Sequence, residues 1–291
     1  MQIGTARVRV PSTADPVLLV PIADTHVGAR DADLGWLESF AKAAGKRDDT
    51  VVVLLGDHGE HIGHHDRRFS PEAVCPSFSV ADLANLSAEE TRRFLKAVAP
   101  LKRRTAVVMK GNHEWAMERQ GSYDPHAELC AAWKARRSDE VVVGTDDPLD
   151  FQACGLLRLS VERGKERHAF SCFLHHGFFH GAKPNKVRHL TRLVHEWDAD
   201  LVVVGHGHDA VVTGPIVRPR PSQRWDAIEH RESLGVMCAS WKTGTAKGIS
   251  TFEERSGFDR RVFGPTVIRI WPAERTFEVA FGRRAQAWVE Q

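Results

Sequence analysis

A layered α/β fold is what this 291-residue sequence predicts, and three observations lead there. Several apolar runs are continuous rather than alternating ("VLLV", "VVVLL", "AVVM", "LVVV"), the pattern of strands buried on both faces. The first three are separated by stretches of helical periodicity, so the chain opens as strand, helix, strand, helix, strand. Finally, the runs end in one kind of polar residue: carboxylate, amide or imidazole.

Taken in order, residues 16–24 read as a strand and 33–46 as a helix opened by Asp33. Residues 50–57 form a second strand. Residues 87–101 form a second helix, in which Ser87 and Glu90 have the spacing of a capping box. Residues 105–112 are a third strand. Beyond 140 the segments "EVVVG", "LLRLSVE" and "HAFSCFLHHG" read as strands, 185–198 as a helix, and "LVVVGHGH" as another buried strand. From 209 onward "AVVTGPIV", "SLGVMCASW", "VFGPTVIRIW" and "TFEVAF" are strand-like, with Gly and Pro between them. With no repeat or low-complexity tract, the chain reads as a single domain over 1–291. Within it lie an insertion at 58–86, long enough to suggest a functional loop, and a β-rich C-terminal part over 209–291.

Composition excludes several classes. Hydrophobic residues at 42% and charged residues at 27% describe a globular rather than a disordered chain. No apolar run approaches the roughly 20 residues that span a bilayer, so no membrane partner is expected. The first 24 residues lack the apolar core and cleavage site of a secretory signal. The net charge of +2 gives no argument for nucleic acid. The short basic clusters (Arg67-Arg68, Lys102 to Arg104, Arg136-Arg137, Arg260-Arg261, Arg283-Arg284) read as solvated surface, or as local guides to a phosphate backbone. Five cysteines without a CxxC pair argue against a disulfide framework and a zinc knuckle, and fit a reducing cytoplasm.

The 16 histidines are the informative residues. The strand ends carry Asp24-Thr25-His26, Gly56-Asp57-His58-Gly59-Glu60, Gly111-Asn112-His113-Glu114, His175-His176-Gly177 and Gly205-His206-Gly207-His208. Each alone is ordinary: a turn, a helix cap, glycine punctuation. Ligands of open α/β sheets bind beyond the carboxyl ends of the strands, so the five sets are expected to converge. Two aspartates, an asparagine and four histidines offer oxygen and imidazole without thiolate, which suits manganese, iron, zinc and similar divalent ions. They are more than one ion needs, which points to two.

In that order the motifs, spanning Asp24 to His208, resemble the calcineurin-like metallophosphoesterase superfamily. The resemblance implies a four-layer α/β/β/α sandwich of two mixed sheets flanked by helices. It implies two divalent ions, manganese first, with iron, zinc, nickel, cobalt or magnesium as alternatives. Asp24, His26, Asp57 and His208 would hold one ion; Asp57, Asn112, His176 and His206 would hold the other, with Asp57 bridging. His176 is chosen over His175 because it directly precedes glycine, leaving His175 to packing or support. His113 takes the position of the residue that helps the leaving oxygen depart, and Glu60 would orient it. Two such ions, roughly 3.5–4 Å apart, lower the pKa of a shared water and neutralise phosphoryl oxygens, and a histidine titrates in the right range to act as the acid.

The substrate is less legible. Protein Ser/Thr phosphatases have an arginine where this chain has His61, and the nearest arginine after the GNHE motif is Arg119. The loop with His61, His64, His65, Arg67 and Arg68 reads either as solvated or as a lid whose cations meet further phosphates. The segment 240–270 resembles the C-terminal part of phage-borne and bacterial members, with Trp241 to Lys247 as a glycine-rich loop near the site. Three functions stay open: a phosphodiesterase acting on nucleotides, DNA or RNA; a phosphomonoesterase acting on a small metabolite or phosphoprotein; and a non-catalytic metal-binding scaffold. Oligomeric state is not readable.

Overall fold

The computed structural model describes residues 1–291 apart from 65, 121–122, 145–146, 178–182, 222–225 and 256–260. The chain begins with β1 (Gln2–Arg9), β2 (Val17–Ile22), α1 (Leu34–Gly45), β3 (Thr50–Leu54), α2 (Val80–Leu83), α3 (Leu86–Val98) and β4 (Thr105–Met109). It continues through α4 (Asn112–Arg119), α5 (Pro125–Trp133), β5 (Glu140–Val142), β6 (Leu149–Phe151), β7 (Cys154–Arg163), β8 (Glu166–His175) and α6 (Lys183–Glu196). It ends with β9 (Leu201–Val204), β10 (Val211–Pro221), β11 (Ile228–Met237), α7 (Phe252–Arg255), β12 (Thr266–Trp271), β13 (Thr276–Phe281) and α8 (Gly282–Glu290).

Two mixed sheets result. One runs β10-β11-β9-β8-β7-β1-β5 and the other β13-β12-β2-β3-β4-β6. In the second sheet β2, β3, β4 and β6 are parallel, while β12 and β13 close the far edge antiparallel. Period-2 side-chain geometry then sorts each continuous apolar run between two cores. Leu19, Val51, Val53 and Val107 face Leu159, Phe170, Leu174, Val203 and Val236 across the gap between the sheets. Leu18, Val20, Val52 and Leu54 face outward onto Leu37 and Phe40 of α1, Phe94 of α3 and Trp288 of α8. On the other side Phe173, Val202 and Val204 pack on Leu190 and Val194 of α6. The layers are therefore helices, sheet, sheet, helix, as the four-layer expectation states. No helix among the described residues is long and apolar enough to cross a membrane.

Asp33 caps α1 as expected, accepting from Trp36 N–H at 2.9 Å. The second helix departs from expectation: it starts at Leu86 with Asn85 at its cap, and Ser87 is buried inside its first turn. Glu90 makes no capping box, because its carboxylate points inward and accepts the His61 N–H at 2.7 Å. That also corrects the picture of His61 as an exposed loop residue. It is buried, with its imidazole 3.1 Å from Glu90 and 3.8 Å from Glu114. Elsewhere in the 58–86 segment, Arg68 pairs with Asp66 and Arg67 is exposed; His65 lies outside the described residues. The segment is pinned to the loop after β2, where Cys75 N–H donates to Gly28 O at 2.8 Å and Arg30 N–H to Ala73 O at 2.8 Å.

Candidate metal centre

The carboxyl ends of β2, β3 and β4 in one sheet meet those of β8 and β9 in the other, and there the chain leaves every strand abruptly. Asp24, His26, Asp57, His206 and His208 all adopt left-handed backbone conformations, with φ of 53°, 45°, 52°, 59° and 52°. Outside glycine that conformation costs about 1–2 kcal/mol per residue, so the five together cost on the order of 5 kcal/mol or more. An ordinary turn would place glycine there. Strain of this size persists only where surrounding packing fixes it, and it clusters at functional sites. A buried Val or Leu contributes about 1.5–3 kcal/mol, so a few residues of the inter-sheet core offset it.

The strained turns aim their side chains at one another. His26 Nε2 lies 3.0 Å from His208 Nε2, and His208 Nε2 lies 3.7 Å from Asp24 Oδ1. In the second group His176 Nε2 lies 2.9 Å from Asn112 Oδ1 and 3.2 Å from Asp57 Oδ2, and the His206 ring stands 5.4 Å from that of His176, centroid to centroid. Asp57 Oδ2 is also 3.9 Å from His26 Nε2, which places this carboxylate between the groups. Donor atoms of Asp24, His26 and His208 lie within 4.8 Å of one another, as do those of Asp57, His176 and His206.

The tautomers test whether cations fit. His176 Nδ1–H donates to Leu55 O at 2.7 Å. Its Nε2 faces two oxygens, Asn112 Oδ1 and Asp57 Oδ2, an arrangement that calls for positive charge there, either a second ring proton or a metal ion. His26 and His208 likewise bring Nε2 against Nε2, where one shared proton, or a cation in its place, satisfies both rings. Electrostatics agree. Burial opposes a charge on His176, yet Asp57 and Asp24 push its pKa up to about 10. Burial pushes the Asp24 carboxyl up to about 7, with His176 opposing and Asp57 adding to the shift. A pocket that crowds carboxylates and draws positive charge fits divalent ions.

Gly111, Asn112, His113 and Glu114 each do something different at the start of α4. Gly111 permits a close approach: a Cβ there would stand 2.2 Å from Asp57 N and Oδ1. Asn112 presents its amide oxygen to His176. The His113 N–H donates to Asp57 Oδ1 at 2.9 Å, so an anionic side chain caps the helix N-terminus. The His113 ring sits 4.8 Å from His26 and donates from Nδ1 to Glu60 O. Glu60 thus holds His113 by its main-chain carbonyl, whereas its carboxylate lies 2.8 Å from His26 Nδ1 and 3.9 Å from Lys242 Nζ. The contact of Glu60 with His113 is thus through its backbone, while its carboxylate faces His26. Burial alone would raise the Glu60 carboxyl; Lys242 and His26 hold it well below the usual range.

Glu114, to which sequence reading gave no role, is the buried keystone. Its carboxylate accepts from Asp57 N–H at 3.0 Å, His58 N–H at 2.7 Å and Gly111 N–H at 2.9 Å, so it joins the ends of β3 and β4. Its place three residues after Gly111 is the glutamate position of a capping box, the signal that could have found it. Lys186 of α6 is the second missed residue. Buried, it donates to Gly207 O and Asp209 Oδ2, both at 2.7 Å, and fixes the turn carrying His206 and His208. His175 accepts from Gly177 N–H at 2.6 Å, a supporting contact. The loop from Trp241 does reach the site: Trp241 N–H and Ser240 Oγ–H both donate to Asp24 O. Arg119 lies over the Trp115 ring.

No protein-family model matches the chain, and no curated protein matches it. Among solved structures it is similar to a conserved Streptococcus pneumoniae protein described as a predicted phosphoesterase, at 15% identity and TM-score 0.34, covering 91% of this chain and 88% of that one. It is similar to zinc-complexed Vps29 of Entamoeba histolytica at 13% and 0.34, covering 91% and 98%. A metallophosphoesterase of Sphaerobacter thermophilus follows at 12% and 0.36, covering 93% and 92%. Scores this low carry no weight of their own. The fold and the site by themselves define a four-layer α/β/β/α protein with a buried His/Asp/Asn centre at the shared carboxyl ends of its sheets. In layering and in the order of its strand-end residues, the chain resembles the calcineurin-like metallophosphoesterases.

Proposed function

We propose that the protein is a metal-dependent phosphoester hydrolase, and within that class a phosphodiesterase acting on nucleotides or nucleic acid. The observation that carries the reading is the position of Asp57. Its carboxylate stands between two groups of buried donors while its Oδ1 anchors the residue after Asn112. Asp24, His26, Asp57 and His208 would hold one divalent ion, and Asp57, Asn112, His176 and His206 the other. Bound there, such ions supply Lewis-acid polarisation of a phosphoryl group and a more acidic water.

The protein's own groups do the rest. His113, fixed at Nδ1 by the Glu60 carbonyl, presents Nε2 as the atom that gives a proton to the leaving oxygen. Burial lowers its pKa, and the charges of Asp57 and Glu60 oppose that by favouring the protonated ring the step requires. Glu114 and Lys186 hold the ligand-bearing turns, leaving little reorganisation during the reaction. Lys242, beside Glu60 and Asp31, adds a cation near the centre, which suits a substrate with more than one anionic or ester-linked group.

The test is turnover of manganese-loaded protein on p-nitrophenyl phosphate and bis-p-nitrophenyl phosphate, with His113→Ala prepared in parallel. Diester preference, lost in the variant at unchanged metal content, is the expected result. A monoester preference moves the assignment to a phosphomonoesterase. Absence of turnover on both, with both ions bound, favours the scaffold reading.

A further inference from the structure

A second cluster of ligating side chains lies apart from the seven residues above. His126 and Cys130 occupy successive turns of α5, four residues apart and so on one face of the helix. Asp150 is the middle residue of β6, the strand that ends the second sheet beside β4. His126 Nε2 lies 2.8 Å from Asp150 Oδ1 and 3.4 Å from Cys130 Sγ. All three donor atoms fall within 4.8 Å of one another.

Their arrangement is not that of an acid–base relay. In a relay the carboxylate binds one imidazole nitrogen and the nucleophile the other. Here carboxylate and thiol crowd the same nitrogen, and the other ring nitrogen contacts neither. The opposite nitrogen, His126 Nδ1, is buried without a hydrogen-bond partner, although the ring is 4% exposed. Asp150 Oδ1 is further oriented by Gln152 Nε2 at 3.2 Å, and its Oδ2 by Arg137 Nε at 3.4 Å. Burial and the charge of Asp150 push the Cys130 thiol up to about 12, so the sulfur stays protonated until a cation displaces its proton.

We propose that His126, Cys130 and Asp150 form a separate site for one thiophilic divalent cation, zinc foremost, which ties α5 to the edge strand β6. One imidazole nitrogen, one thiolate and one carboxylate oxygen are a borderline-soft donor set with room for a fourth, solvent ligand. Binding releases the Sγ proton to solvent and leaves the His126 ring proton on Nδ1 instead of Nε2, so thiolate and carboxylate together balance the divalent charge. The proposal does not depend on the phosphoesterase reading, because the other centre has no sulfur ligand.

That difference supplies the test. Metal-free full-length protein is titrated with Co²⁺ and followed in the near ultraviolet, where only a thiolate ligand gives a sulfur-to-cobalt charge-transfer band. The wild type is expected to show the band, and Asp57→Ala to retain it. Cys130→Ser is expected to lose the band and about one equivalent of bound ion, while keeping the visible cobalt bands of the histidine centre, which also report that it is folded. Independently, Zn²⁺ should slow alkylation of Cys130 by iodoacetamide, located by peptide mass, on the order of tenfold or more as the thiolate is sequestered. Cobalt binding without the band, a band that survives Cys130→Ser, or alkylation indifferent to Zn²⁺ would each overturn the proposal.

Discussion

Replacing Glu114 by glutamine removes one charge and changes almost nothing else in size, yet it should damage the metal centre from a distance. The carboxylate receives three main-chain N–H groups, from Asp57, His58 and Gly111. An amide has one carbonyl oxygen, so at least one of these donors must face an NH2 group. A hydrogen bond to a charged acceptor contributes about 1.5–3 kcal/mol and a neutral one about 0.5–1.5. Losing one and weakening two comes to about 3–5 kcal/mol. Urea unfolding of the metal-free protein reads this as a lower midpoint at unchanged slope. Because the Asp57 turn is held by the same carboxylate, manganese affinity should fall about 10–100-fold, as when other supports of metal ligands are removed.

The pH dependence has a definite sign. Burial alone would raise the Glu114 pKa, but hydrogen bonding and attraction from His58 outweigh it and hold the group ionised well below the usual carboxylate range. A depressed folded-state pKa gives stability that is present above the unfolded value, about 4.3, and lost as pH falls. Wild type and Glu114→Gln should therefore differ fully at neutral pH and converge in acid. A variant within about 1 kcal/mol of wild type at pH 7, with unchanged manganese affinity, would refute the role given to Glu114.

Other substitutions probe the rest of the arrangement. Asp57→Ala should empty both ion positions, measured by metal analysis after dialysis; retention of both ions would contradict the bridging assignment. Lys186→Met leaves buried Asp209 with Arg261 as its remaining cation, so the loss should fall below the about 3–5 kcal/mol of a fully unpaired buried charge; thermal unfolding should show it, together with weaker manganese binding through the Gly207 turn. Gly111→Ala puts a Cβ into the Asp57 backbone. It should abolish manganese binding while far-ultraviolet dichroism stays near wild type, and normal binding would show that the close approach is dispensable.

The sheets were legible because burial on both faces leaves a mark in the sequence. Runs such as 51–55 and 201–204 are apolar throughout, which only a sandwiched strand tolerates. β1 escaped notice, since its alternation of Thr5 and Arg7 with the inward Gly4, Ala6 and Val8 is weak. α8 escaped too, because Ala285, Trp288 and Val289 make only a short apolar stripe. Ser87 and Glu90 had the spacing of a cap, but spacing carries no information about a third residue, and Glu90 was taken by the distant His61 N–H.

For the site the division is similar. That carboxylates and imidazoles end the strands can be read directly, since each abuts its own apolar run and parallel strands must end on the same side. Their type alone restricts the chemistry to oxygen- and nitrogen-loving divalent ions. Which atoms meet is a matter of long-range closure. Residues 26 and 208, and 57 and 176, are brought within reach only by stacking two sheets, and 186 and 207 only by packing α6 on the outer face of one of them. The same closure sends the Glu60 carboxylate to His26 and its carbonyl to His113, and turns Glu114 from a helix-cap residue into the clamp of two strands. Local patterning sets what each strand end can offer. The partner each offer finds depends on backbone geometry accumulated over the whole chain, and so only the tertiary structure decides it.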